Sequence, residues 1–335
     1  MVVTGSHGKS TTTAMITTVV QNFYGGSYYI GAKFLQDGRY AKFDSQSEWA
    51  IIEADESDGL FLKNRADIGV VTVSDSEHLD FWRSKRVLDL AFYSFILTCK
   101  ELCILGQEFW FNFAWEKSKI NSVKTKVCSI NLGPEGTEYH ISIDDRDLFG
   151  FIPFWGEHYV KNLAIALAVC RRLGICEHDA ADILKNYRGL SRRMEVLSRN
   201  PLIISDYAHH PSEVKVTIEA LSSVFDKLVV FYQPHRLSRI KKTFSEHRGL
   251  FLKCSKAFVL PVFEPNNFSG EILMKEESLE FGKQLSEISG ATFIENFEET
   301  LRKFISERSW QIVVLGAGDI DERTRVISSR IVSAA

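Results

Sequence analysis

The run Val2-Val3-Thr4-Gly5-Ser6-His7-Gly8-Lys9-Ser10, continuing directly into Thr11, Thr12 and Thr13, constrains the fold more than any other stretch of the chain. Three β-branched residues lead into a loop with two glycines, and the loop leads into a helical pattern running from Ser10 to about Gln21. Such a strand, loop and helix joint aims backbone amides and the positive end of a helix at one spot, which suits a phosphate group. Gly5 and Gly8 permit the tight turn, Lys9 brings a cation for β- and γ-phosphate oxygens, and the Ser10 hydroxyl can ligate Mg²⁺. The pattern departs from G-x-x-x-x-G-K-[ST], whose first glycine would fall at Val3. Taken alone, the segment also fits a glycine turn that starts an ordinary helix.

Beyond the loop, short β-branched runs alternate with longer helical patterns, which predicts an α/β fold with parallel sheets. Strands are expected at Trp49 to Ala54, Ile68 to Val73 and Glu101 to Leu105, and a second helix from about Val87 to Leu97. A more β-rich stretch, Lys126 to Phe154, precedes an apolar helix from about Tyr159 to Leu173. After Arg188-Gly189-Leu190-Ser191 a second alternating series begins, with strand candidates PLIISDY, KLVVFYQP, KAFVLPVF, ATFIENF and WQIVVLGAG. The expected domains are therefore 1–188 and 189–335. With 335 residues, 45% of them hydrophobic, there is enough apolar surface for two or three cores.

Net charge is only −3 with both signs mixed, so no electrostatic argument favours nucleic acid or a membrane surface as a partner. No segment approaches the ~20 apolar residues of a membrane span, and no basic leader opens the sequence; a cytoplasmic location is expected. The six cysteines, Cys99, Cys103, Cys128, Cys170, Cys176 and Cys254, lack C-x-x-C spacing and read as reduced core thiols rather than a structural zinc site.

Two further segments carry chemistry. Trp49-Ala50-Ile51-Ile52-Glu53-Ala54-Asp55-Glu56-Ser57-Asp58 ends an apolar strand in four acids within six residues, one β-α-β step after the loop, and hard oxygen donors in that place suit Mg²⁺. An acidic surface turn would look similar. Val71 to Asp80 again sets polar groups at a strand end, where His78 can hold a second metal ion or a ligand oxygen, or serve structure alone. Histidines also come directly after the apolar strands of the second half, but no cysteine or closely spaced acid completes a zinc set with them. Gly316-Ala317-Gly318-Asp319 lacks the third glycine of a dinucleotide loop, leaving an oxidoreductase as a weaker alternative.

Taken in chain order, these segments resemble the Mur ligase family over essentially the whole chain. Gly5 to Ser10 resembles the family's G-T-H-G-K-T loop, and EADESD at Glu53 to Asp58 matches the branch that joins L-alanine to UDP-N-acetylmuramate letter for letter. Gly156-Glu157-His158-Tyr159-Val160-Lys161-Asn162 resembles G-x-H-N-x-x-N, and Leu190 to Glu195 resembles the R-R-F-E segment. Ser205-Asp206-Tyr207-Ala208-His209-His210-Pro211 is similar to D-D-Y-A-H-H-P, with Gln233-Pro234-His235-Arg236 and Gly316 to Ile320 completing the set.

The resemblance implies a P-loop-type central ATPase domain with a parallel sheet and a Rossmann-like carboxyl-terminal α/β domain. It implies ATP and Mg²⁺ as cofactors and UDP-N-acetylmuramate and L-alanine as substrates, in peptidoglycan precursor synthesis. Carried over residue by residue, Lys9, Glu53 and His78 are catalytic, and Ser10, Glu53 and His78 hold magnesium. Gly5, Ser6, His7, Gly8, Lys9, Ser10 and Thr11 surround the ATP phosphates, Asn162 meets the adenine, Arg192 or Arg193 meets phosphate, and Asp206 contacts the nucleotide. His209, His210, His235 and Arg236 lie near the substrates. Loss of the Lys9 amine should then abolish ATP turnover while leaving the fold intact.

The sequence departs from the family in several places. Members carry a UDP-binding domain before the glycine loop, whereas this sequence opens on the strand itself; either the chain is part of a longer protein, a separate chain supplies that domain, or the acceptor differs. Within motifs, Val73 stands for an asparagine, Glu77 for an aspartate and Tyr159 for an asparagine, while Ser10 replaces a threonine and keeps the hydroxyl. Two other readings stay open at this point: a sibling ligase that recycles murein peptides, and a non-catalytic nucleotide-binding homologue.

Overall fold

The computed structural model describes residues 1–76, 78–106, 123, 125–265 and 271–332. The chain divides into two compact units, Met1–Ser191 and Arg192–Ala335. The departure noted at Glu77, and the side chain of Cys103, lie outside the described residues.

The first unit begins with β1 (Val2–Thr4), α1 (Lys9–Phe23), β2 (Ser27–Phe34), β3 (Arg39–Lys42), β4 (Ala50–Glu53) and β5 (Ile68–Val71). It continues with α2 (Leu79–Trp82), α3 (Lys85–Thr98), β6 (Leu102–Leu105), β7 (Thr125–Gly133), β8 (Gly136–Ile143), β9 (Arg146–Ile152), α4 (Glu157–Arg172) and α5 (Glu177–Leu184). Six strands form one sheet in the order β3-β2-β4-β1-β5-β6, parallel except for β3. The antiparallel β2–β3 pair was not expected from the sequence; its turn is short, and alternation on β3 is hidden because all four of its residues are exposed. Apolar side chains fill both faces of this sheet, as a parallel sheet requires. On one face Phe61, Phe92, Phe95 and Ile96 pack with Val71. The other is met by α1, against which α4 and α5 pack. Ten residues of α4 between Tyr159 and Cys170 are buried, which explains why its sequence is apolar nearly all round. Strands β7, β8 and β9 make a separate antiparallel sheet in the stretch read as β-rich.

The second unit holds β10 (Glu195–Arg199), β11 (Leu202–Asp206), α6 (Pro211–Ser222), β12 (Leu228–Tyr232), α7 (Leu237–Thr243) and β13 (Lys256–Val259). It ends with α8 (Glu271–Ser289), β14 (Thr292–Phe293), α9 (Phe297–Glu307), β15 (Gln311–Leu315) and α10 (Ile320–Val332). Its sheet runs β10-β11-β15-β12-β13-β14, parallel except for the edge strand β10. Phe231, Phe297, Phe304 and Ile312 lie in its core. Two helix starts here are capped by side chains: Asn296 accepts from the Glu299 amide, and His210 and Glu213 form a reciprocal box ahead of α6. The α/β expectation holds in both units, and the cysteine expectation needs correction. Cys99 and Cys170 are buried, but Cys128 and Cys176 are exposed, the first at a register shift in β7 and the second just ahead of α5.

Candidate active site

In the first sheet β1 lies between β4 and β5, so the loop that leaves β1 is flanked by the segments that leave its two neighbours. Val3 pairs with Glu53 and Thr4 with Val71, which brings the carboxyl ends of the three strands level. The loop is stapled to the segment after β5: the Ser6 amide donates to the Val73 carbonyl at 2.7 Å, and the Thr72 hydroxyl donates to the His7 carbonyl at 2.6 Å. The Asp75 amide donates to the Ser6 hydroxyl at 2.9 Å, and the His7 ring lies 3.5 Å from the Asp75 carboxylate.

Two glycines are required by this geometry. Gly5 has φ +133° and a Cβ there would lie 2.2 Å from the Thr72 hydroxyl; Gly8 has φ +77° and a Cβ there would lie 2.2 Å from the Asn162 Oδ1. Gly8 starts α1, whose N-terminus, among the described residues, has no side-chain cap and no acid in the first turn. Its amides and its positive end are thus left for a ligand, and an anion is what they favour.

Lys9 folds over this loop, donating to the carbonyls of Gly5 at 2.8 Å and Ser6 at 3.2 Å, and its ammonium lies 2.7 Å from the Oε2 of Glu56. Glu56 has no exposed surface, and its Oε1 lies 3.7 Å from the His78 Nε2. Burial pushes the Glu56 carboxyl above its ordinary range, with Lys9 opposing that rise. Burial also works to raise Asp55, but the Ser57 amide, Lys9 and His78 outweigh it and leave that carboxyl below its ordinary value. The ligand atoms of Asp55, Glu56 and His78 all lie within 4.8 Å of one another. His78 itself stands at φ +53°, just before α2.

The predicted set Ser10, Glu53 and His78 therefore divides. The Ser10 hydroxyl donates to Glu53 Oε1 at 2.8 Å, and the Gly31 amide donates to Oε2 of the same carboxylate at 2.6 Å. His78 gathers with Asp55 and Glu56 instead. Glu56 is the residue that sequence reasoning missed, although the spacing of EADESD held a clue: β4 ends at Glu53, and the acids beyond it belong to the turn that runs back beside the loop. Thr11 is buried in the first turn of α1. Tyr159, in place of a family asparagine, is buried and stacks on Phe154 at 4.7 Å, a packing role. Burial depresses its neighbour His158 to about 4.

In the second unit polar groups collect at the carboxyl edge of β11, β12 and β15. Asp206 accepts from the amides of Met194 and Ala208, both at 2.8 Å, and burial raises its carboxyl to about 6 against the pull of Arg193. The Arg192 guanidinium donates to the carbonyls of Gly316 at 2.6 Å and Gly318 at 2.9 Å, and so pins the glycine turn. Both Arg192 and Arg193 lie over the Tyr207 ring. His209 and His235 approach at 6.1 Å between ring centres; burial first, then Arg239 and other cations, depress His235 to about 4 and keep it neutral. His210 caps α6 through its Nδ1, and the Arg236 amide donates to the Phe263 carbonyl ahead of α7. A cleft of ≈ 240 Å³ at this edge is lined by Gln233, Phe263, Glu264, Asp319 and Arg323, among others.

Comparison with known proteins agrees with this geometry. The Mur ligase middle domain model matches residues 3–170. A UDP-N-acetylmuramate–L-alanine ligase of Sulfurihydrogenibium is 30% identical over 96% of this chain and 73% of its own length. The crystal structure of the UDP-N-acetylmuramate–alanine ligase of Thermotoga maritima superposes with TM-score 0.74 at 24% identity, covering 100% of this chain and 76% of that one. The MurF ligase of Thermotoga maritima in complex with ADP superposes with TM-score 0.71 at 18% identity, covering 100% and 81%. With the family model over half of the chain and a relative of 30% identity over nearly all of it, the chain belongs to the Mur ligase family.

Proposed function

We propose that this chain carries out the ATP-dependent joining of L-alanine to the lactyl carboxylate of UDP-N-acetylmuramate. The γ-phosphoryl group of ATP passes to that carboxylate, giving an acyl phosphate and ADP; the amine of L-alanine then attacks the acyl carbon, and phosphate leaves. The observation that carries the reading is the uncapped α1 N-terminus behind Gly8, with Lys9 paired to the buried Glu56 of the EADESD turn.

Each residue has a physical role in that scheme. The loop from Gly5 through Ser6, His7 and Gly8 to Thr11 surrounds the phosphates, with the amides at the start of α1 turned to them and the Ser6 amide kept by Val73, and Lys9 exchanges its contacts with Gly5, Ser6 and Glu56 for phosphate oxygens. The hydroxyl of Ser10 and carboxylate of Glu53, already 2.8 Å apart, form an all-oxygen donor pair that fits Mg²⁺, with His78 beside Asp55 and Glu56 as a second place for such an ion. When bound, Mg²⁺ neutralises charge on the transferred phosphoryl group. Asn162 meets the adenine. Arg192 or Arg193 meets phosphate; Arg192 also holds the Gly316 and Gly318 carbonyls. Asp206 contacts the nucleotide, and His209, His210, His235 and Arg236 serve the substrates, with neutral His235 able to accept or donate one hydrogen bond.

The test is phosphate release by the purified chain with Mg-ATP, UDP-N-acetylmuramate and L-alanine, each omitted in turn. Release that needs all three is the expected result. Release from ATP alone, or ATP binding with no release under any combination, overturns the proposal.

A further inference from the structure

The outer face of the three-stranded sheet carries a cluster with no part in the nucleotide site. Cys128 on β7, His140 on β8 and Asp147 on β9 each offer one ligand atom, and these atoms lie within 4.8 Å of one another. Alternation along β8 buries Tyr139, Ile141 and Ile143 and turns His140 outward. Asp147 pairs with Ser142 and Phe149 with His140, so Asp147 is the diagonal neighbour of His140 on the same face. On β7 the ladder pairs Val127 with Ile141 and Ser129 with His140, leaving Cys128 as the extra residue of a bulge. A bulge sets two consecutive side chains against one partner and re-aims the extra one; here it leaves the Cys128 thiol exposed beside the histidine and aspartate.

The imidazole is held before any ligand arrives. Its Nε2 lies 3.0 Å from Asp147 Oδ1, and its ring stacks on the exposed Phe149 at 4.2 Å with an interplanar angle of 15°. A surface histidine–aspartate pair would explain two members of the cluster, but not a thiol within the same radius. Thiolate, imidazole and carboxylate together are the donor set of zinc-class ions, whereas Mg²⁺ prefers oxygens alone. One thiolate and one carboxylate balance a charge of two. With zinc–ligand lengths of ~2.0–2.3 Å a tetrahedral site needs donors roughly 3.3–3.8 Å apart; the His140–Asp147 pair, now in hydrogen-bond contact at 3.0 Å, has to open by a few tenths of an ångström, and the exposed thiol has to rotate, for an ion to enter. We infer that Cys128, His140 and Asp147 form a surface site for a zinc-class divalent cation, with three protein ligands and one coordination position open to solvent or an outside ligand.

Cobalt(II) titration of the whole chain, with Mg²⁺ in excess to fill oxygen-donor sites, tests this. A thiolate-to-cobalt charge-transfer band, displaced by zinc(II), is expected. Cys128→Ser should abolish the band, and His140→Ala and Asp147→Asn should each weaken zinc binding by about tenfold or more; Cys176→Ser should leave both unchanged. All three positions are on the surface or partly so, and circular dichroism would check that each variant is folded. A band that survives Cys128→Ser, or zinc affinity indifferent to both His140→Ala and Asp147→Asn, would overturn the site.

Discussion

The ammonium of Lys9 lies 2.7 Å from the Oε2 of Glu56, a carboxylate with no exposed surface. The pair therefore has a structural role beside the chemical one proposed for Lys9. Lys9→Ala is expected to stop ATP turnover, but also to leave a buried charge without its partner, at a cost of about 3 kcal/mol. Combining it with Glu56→Gln should recover most of that stability and none of the turnover. Denaturant unfolding of the two single variants and the double variant, alongside phosphate release, measures both. Equal stability of Lys9→Ala and the parent chain would remove the pair's structural role.

Ser10→Ala removes the hydroxyl that donates to Glu53. Stability should fall by about 1 kcal/mol, the usual net worth of one hydrogen bond, while the Mg²⁺ concentration needed for half-maximal turnover rises about tenfold. Ser10→Thr restores the hydroxyl and should restore the magnesium requirement, which a magnesium titration of both variants checks.

At Gly8 a side chain meets two obstacles, the positive φ and the Asn162 amide. Gly8→Ala should cost roughly 1–2 kcal/mol in backbone strain alone and, by moving Asn162 or the loop, lower ADP affinity more than its stability loss predicts. Calorimetric titration with ADP below the melting temperature separates the two effects.

Asp206 titrates high because it is buried, from 3.8 to about 6. A carboxyl raised on folding favours the folded chain while it is protonated. Its contribution is complete below 3.8 and is lost as pH rises through about 6, a difference of roughly 3 kcal/mol. Asp206→Asn should flatten this part of the profile, and unfolding measured at pH about 4 and about 7 would show it. A parent chain whose stability is flat across that window would refute the assignment.

The two arginines before β10 should behave differently. Arg193 opposes the rise of Asp206, so Arg193→Ala should move that titration still higher. Arg192→Ala instead removes two hydrogen bonds from the Gly316 and Gly318 carbonyls and should lower stability by about 2–3 kcal/mol, since bonds to a charged donor are the stronger kind. Carboxyl titration by NMR, paired with melting curves, distinguishes them.

Much of the α/β pattern was legible because its causes are local. The runs at Ile68–Val71, Leu228–Tyr232 and 312–315 are buried on both faces and so read as unbroken apolar stretches. The antiparallel edge strands β3 and β10 carried no such mark. All four residues of β3 are exposed, and most of β10 is only partly covered, so neither shows the apolar pattern that reveals a strand. Motifs showed in the same unequal way. Gly5, Gly8, Lys9 and Ser10 announce themselves because a tight turn needs glycine and phosphate needs amides and a cation, whereas Thr72, which holds the loop through the His7 carbonyl, looks like any strand residue.

By itself, then, the sequence determined the strand–loop–helix joint at Val2 to Ser10, the acidic turn after Glu53 and the β-rich stretch before α4, since each depends on residues that are neighbours in the chain. Only the tertiary structure decided that β1 sits between β4 and β5, and hence that Lys9 meets Glu56 while Ser10 meets Glu53. It alone chose Arg192 for the glycine turn and set Cys128, His140 and Asp147 on one face. The reason is the same in each case: the partner of a side chain across a sheet is set by strand order and register, which the burial of whole helices and strands selects, and no local spacing encodes them.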